Sequence, residues 1–136
     1  LNKLASSIAT EFVHKLTPNY VYFSVTLLDK IKLKSVTYDQ KKTFDIALDY
    51  IEVTRYDKAR KILEKLMKDV DGNSYVVAYT LGVIYEATGD LDKAKKLYNI
   101  ADEISVEPVD EINLALSRID SSIEKMAEAK KQINAK

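Results

Sequence analysis

Apolar positions along this chain change their period twice. Over residues 3–16, Leu4, Ala5, Ile8, Ala9, Phe12, Val13 and Leu16 recur with helical spacing, opposite Lys3, Ser6, Ser7, Thr10, Glu11 and Lys15. That amphipathic pattern predicts a helix. Thr17-Pro18-Asn19 ends it, because a proline disfavours helical backbone at the residue before it. From Tyr20 to Leu28 the period becomes two, with Val21, Phe23, Val25 and Leu27 on one face of a β-branched and aromatic run that predicts a strand. A weaker second strand is expected over residues 31–36, with Asp29-Lys30 as the turn. The helical period returns at residue 39. A helix over 39–53 carries Phe44, Ala47, Leu48, Tyr50 and Ile51, and its partner covers 56–68. Two further helical segments lie between Tyr75 and Ile104, broken at Gly89-Asp90. A last helix is expected over 108–134, where Ile112, Leu116, Ile119, Ile123, Met126 and Ile133 step by fours and threes with Lys130 interrupting. Pro108 suits its first turn, and Asp110 and Glu111 favour the positive end of the dipole. At about 1.5 Å per residue this helix would reach roughly 38 Å.

The middle of the chain repeats itself. Leu81, Gly82 and Tyr85 precede the Gly89-Asp90 break, and Ala94, Tyr98 and Ala101 follow it. Thirty-five residues earlier, Tyr56-Asp57-Lys58-Ala59 matches Leu91-Asp92-Lys93-Ala94. Ala47 then stands where Gly82 stands, Tyr50 where Tyr85 stands and Leu63 where Tyr98 stands. The pattern L-G-x-x-Y followed by A-x-x-x-Y-x-x-A resembles one tetratricopeptide repeat, and the earlier copy a degenerate one, over the roughly 34-residue period of that family. The resemblance departs at Ala78, in place of the first aromatic, and at Pro108, two residues beyond the terminal proline. It implies two antiparallel helix pairs, about 39–72 and 74–107, in an α-α superhelix covered by a capping helix at 108–134. The repeat signature is then Ala47, Tyr50, Ala59, Leu63, Leu81, Gly82, Tyr85, Gly89, Ala94, Tyr98 and Ala101. In that family the first helices line a concave groove for peptides. Position by position, this puts Lys41, Phe44, Leu48 and Ile51 on the groove from the first repeat and Val76, Tyr79, Val83 and Glu86 from the second. The groove would be mostly apolar, without the lysine and asparagine clamp of chaperone-binding members. A partner must cover it, or the chain's own first helix, through its Leu4–Ile8–Phe12 stripe, or its strand region.

Composition narrows the function. Lysine and arginine balance aspartate and glutamate within 136 residues, so total charge does not point to nucleic acid or an anionic membrane. There is no cysteine, which excludes disulfides and thiolate metal sites. No apolar run approaches the roughly 18 residues of a membrane span. Only three glycines and two prolines occur, in keeping with long helices and short connections.

No constellation for catalysis stands out. His14 is the single histidine and has neither a cysteine nor a second histidine to share a metal. There is no glycine-rich phosphate loop and no G-x-S-x-G turn. Asp45, Asp49 and Glu52 share one helix face, the ordinary place for solvated acids. Asp69 to Ser74 only faintly resembles a calcium loop, with its glycine misplaced. Lys58, Lys61, Lys65 and Lys68 form a basic stripe without interleaved aromatics, and the region from Asp102 to Glu124 is acidic. Neither catalytic residues, nor a metal, nor a cofactor are expected.

The expected fold is therefore mainly α: residues 37–136 form the two-repeat helical domain, and residues 1–36 form a helix and strand or hairpin from the end of an upstream α/β domain. The expected function is a non-enzymatic scaffold that holds a protein or peptide partner. The competing expectation is a homodimer built through the 20–28 strand or the long last helix. The order of helix, strand and repeats also resembles the C-terminal part of bacterial envelope lipoproteins, in which a curli-secretion-channel-like α/β domain precedes such repeats. That resemblance implies the periplasm or outer membrane and a role in assembling surface structures.

Overall fold

The computed structural model describes residues 7–16, 19–28 and 37–134. Two strands, β1 (Ser7–Leu16) and β2 (Asn19–Leu28), precede five helices: α1 (Tyr38–Glu52), α2 (Tyr56–Asp69), α3 (Tyr75–Ala87), α4 (Leu91–Ile104) and α5 (Asp110–Asn134). The fold is mainly helical. The amphipathic helix expected over residues 3–16 is not what forms. Residues 7–16 are a strand, paired antiparallel with β2 from Ser7 opposite Leu28 to Leu16 opposite Asn19. The reason lies in β2. Its β-branched and aromatic run leaves a row of backbone donors and acceptors that need a partner. The preceding segment, two residues away and carrying Ile8, Thr10 and Val13, supplies one and overrides a modest helical pattern. The weaker strand expected at 31–36 lies outside the described residues.

The helices pack in sequence, α1 on α2, α2 on α3, α3 on α4 and α4 on α5. Phe44, Ala47, Leu48 and Ile51 of α1 and Ala59, Leu63 and Leu66 of α2 bury one stripe each. α3 differs. Ten of its thirteen residues are buried, the signature of a helix enclosed on all sides. α2 and α4 flank it, both strands of the hairpin reach it, and Leu27 of β2 enters the core.

Local capping sets the helix boundaries. Thr37 accepts from the Gln40 amide at 3.1 Å while the Gln40 side chain accepts from the Thr37 amide at 3.2 Å. Ser74 and Asp90 accept from the amides of Val77 and Lys93. These groups satisfy donors that a helix start leaves open. α5 begins at Asp110, so Pro108 stands before the helix and not in its first turn.

The helix ends carry the same 35-residue echo as the sequence. After α1, Thr54 N–H donates to Ile51 and Arg55 N–H to Tyr50; after α3, Gly89 N–H donates to Glu86 and Asp90 N–H to Tyr85. Both are Schellman closures with the middle residue left-handed, at φ 59° for Thr54 and 90° for Gly89. Glycine takes that conformation without strain, whereas a β-branched residue does not. Thr54→Gly is therefore expected to raise stability by about 1 kcal/mol, measured by urea denaturation. A fall in stability would mean that the exposed Thr54 side chain has a role this geometry does not show.

Candidate functional site

Of the eight residues assigned to a concave groove, seven are shut inside the chain. Phe44, Leu48, Ile51, Val76, Tyr79, Val83 and Glu86 are buried, and only Lys41 is exposed. As an open peptide groove the assignment is corrected: these residues form the core between the helices, and the face of α3 is closed by the chain's own segments. The signature positions serve close packing. Ala47, Ala59, Leu63, Leu81, Ala94, Tyr98 and Ala101 are buried, and Tyr50 and Tyr85 are half-buried. Gly82 faces the Tyr98 ring so closely that an added Cβ would lie 2.8 Å from its nearest carbon.

Glu86 is the centre of a buried polar network. Its carboxylate is fully enclosed and accepts from Tyr98 Oη at 2.6 Å. Arg118 of α5 approaches it as a fork, Nε to Oε2 and Nη2 to Oε1, both at 2.8 Å. The Arg118 side chain keeps 22% of its surface exposed. A buried charge demands such pairing, so one residue each from α3, α4 and α5 must meet at this point. Lys95 and Asp120 add a surface tie between α4 and α5 at 2.8 Å. A second link joins the two helix pairs: Tyr85 Oη donates to Glu64 at 2.5 Å, and Glu64 also meets Arg60.

These surroundings shift the ionisations. Burial, then the charge and hydrogen bond of Glu86, hold the Tyr98 phenol well above its ordinary pKa. Burial raises that of Tyr79, whose ring lies 5.6 Å from Tyr98. For Arg118, burial pulls the pKa down, and the hydrogen bonds and charge of Glu86 outweigh it. In the unfolded chain tyrosine loses its proton near pH 10, so the folded state holds more protons above that pH. Stability is then full below about pH 10 and falls above it, by about 1.4 kcal/mol per pH unit for each such tyrosine. Alkaline titration is expected to release the Tyr79 and Tyr98 phenolates only as helical circular dichroism is lost. Phenolate signal from every tyrosine near pH 10 with the helices intact would contradict this.

A concavity among the described residues lies at the far end of α5. A cleft of about 510 Å³ opens between the α3–α4 turn, Thr88 to Asp92, and Ile123, Met126, Ala127 and Lys130. Leu91 is buried in its floor, Ile123 and Met126 are half-buried, and Asp92, Ala127 and Lys130 are exposed. Asp90 on the rim pairs with Lys93 at 3.7 Å. Beyond Met126, α5 is exposed apart from half-buried Ala129. The lining mixes apolar Leu91, Ile123, Met126 and Ala127 with polar Thr88, Asp90, Asp92 and Lys130, between a helix and a turn.

Other candidates do not converge. Asp45, Asp49 and Glu52 are exposed on α1, and among the described residues no three metal-binding side chains come together. Asp69 to Ser74 forms the α2–α3 turn, with Asp71 and Gly72 left-handed. His14 pairs with Val21 in the hairpin register. No helix among the described residues is long and apolar enough to cross a membrane. Sequence reasoning missed Arg118 and the cleft. The signal for Arg118 was present: Glu86 is the one charge in the apolar run of α3, and Arg118 the one base between Lys96 and Lys125.

No known protein family, curated protein or solved structure matches this chain.

Proposed function

We propose that this chain is a non-enzymatic interaction module of the tetratricopeptide type, which holds an apolar segment of a protein or peptide partner in the cleft beside α5. The observation that carries the reading is the combination of a locked and an open end on one helix. Arg118 fixes the first half of α5 to the repeats, while Ile123, Met126 and Leu91 line a gap beside the second half. The left-handed positions Thr54 and Gly89, 35 residues apart, fit the repeat relationship, and α2 closes in the same way at Asp71. Small residues at the helix contacts support it further. The original groove positions then act as core, and the partner site moves to the C-terminal end.

A photo-crosslinking amino acid at Met126 tests the partner site in cells. A discrete adduct from Met126, absent when the same group replaces Ser117 on the exposed side of α5, is the expected result. Equal or absent adducts at both positions would reject it.

One observation favours a second reading, a homodimer. Among the described residues the sheet has two strands of ten residues each, and each strand pairs on one side only. Unpaired strand edges readily add another strand. Light scattering separates the readings, because a dimer through β2 gains mass with concentration and needs no other partner.

A further inference from the structure

A second surface, on α2, is built for a charged partner. Lys58, Lys61, Lys65 and Lys68 are all exposed and follow one another at spacings of three, four and three residues. They form a row about 15 Å long on one side of the helix. Neighbouring like charges at these spacings destabilise a helix, and the nearby acids do little to relieve them. Asp57 pairs with Arg55, and Glu64 is taken by Arg60 and Tyr85. Asp69 stands at the far end, and among the described ion pairs none joins it to the row. Among the described residues no carboxylate lies within ion-pair distance of these four lysines, whereas Lys93 and Lys95 elsewhere on the surface each have one. Lys58 is also positioned, with Nζ 5.3 Å from the centre of the Tyr50 ring.

From this geometry we infer that the lysine row of α2 docks an acidic stretch of a protein partner. The inference rests on the reading of the chain as an interaction module and adds the chemistry of what a second surface of it takes. The details discriminate among anions. Lysines present separate point charges that suit a series of single carboxylates, while planar two-pronged recognition of phosphate favours arginine. No aromatic of α2 stands between the lysines to stack a base, and the one ring beside them, Tyr50, is half-buried with Lys58 set over it. The helix keeps its apolar side, Ala59, Leu63 and Leu66, buried in the core and has none to insert in a membrane.

The test is fluorescence anisotropy with a labelled oligoglutamate peptide of about ten residues, long enough when extended to span the row. Binding is expected at low salt and should weaken as salt shortens the screening length. Lys61→Glu with Lys65→Glu should weaken it by at least about tenfold. The control Lys125→Glu with Lys131→Glu makes the same change of total charge on exposed positions of α5 and should leave binding within about twofold. Equal weakening by both pairs would overturn the inference, since total charge alone would then explain binding. Binding to phosphatidylglycerol vesicles without binding to the peptide would overturn it in favour of a membrane. Peptide-free growth in mass that Lys61→Glu with Lys65→Glu abolishes would overturn it in favour of a second copy. A crosslink at Met126 together with failure here removes only this inference, and failure of both removes the interaction-module reading.

Discussion

Arg118→Met lowers the unfolding free energy by about 3 kcal/mol, the lower end of the cost of orphaning a buried charge. Methionine keeps most of the packing of the arginine stem, so the loss reports the charge. Without the guanidinium, Glu86 stays fully enclosed, with the hydrogen bond from Tyr98 Oη still in place. The estimate sits at the lower end because the edge of Arg118 reaches solvent. Arg118→Lys keeps the charge and loses the fork, and is expected to cost about half as much. The decisive variant removes every polar member at once. Glu86→Leu with Arg118→Met and Tyr98→Phe should return to within about 1 kcal/mol of the natural chain, because a buried network can be exchanged for apolar groups of similar volume. Urea denaturation of the three variants reads all of this. A loss below about 0.5 kcal/mol for Arg118→Met would place it among ordinary surface changes and remove the network from the account.

Gly82→Ala lowers stability by about 2 kcal/mol, although alanine is the better helix former by roughly 1 kcal/mol. The new methyl would sit 2.8 and 2.9 Å from two Tyr98 ring carbons, with the Ala94 carbonyl at 3.4 Å. Tyr98 has little room to yield, since it is fully buried, hydrogen-bonded to Glu86 and packed beside Tyr79. Overpacking of a fixed ring therefore outweighs the gain in helix propensity. In a Tyr98→Leu background, already weaker, the added cost of Gly82→Ala should vanish or change sign. If Gly82→Ala stabilised the natural chain, the close approach of α3 and α4 would be looser than the contact distances state.

The helical two-thirds of this fold were legible because their signals are local and redundant. The 35-residue echo of Tyr56-Asp57-Lys58-Ala59 in Leu91-Asp92-Lys93-Ala94 placed both pairs, and Gly82 marked where two helices touch. The N-terminal segment was misread because its helical pattern was real but weak. The partner demanded by the backbone of β2 decided its form, and periodicity does not record that demand. The groove was misplaced for a related reason. Family position put Glu86 on an open face, whereas its surroundings show a carboxylate enclosed by α3, α4 and α5. A lone acid in an apolar run and a lone arginine further on were the readable trace of that pair. The cleft depends on how α5 lies against the α3–α4 turn, and residue order alone does not specify such an angle.

Hydrogen exchange along α5, read by mass spectrometry, is the most direct test of the central claim that this helix is anchored at one end and open at the other. Amides from about Ile112 to Ile119, around the Arg118 anchor, are expected to exchange only through global unfolding. Those beyond Ala127 should exchange through local opening, faster by orders of magnitude. Uniform protection across α5 would contradict the claim, because the second half would then be held as firmly as the first and have no surface to offer.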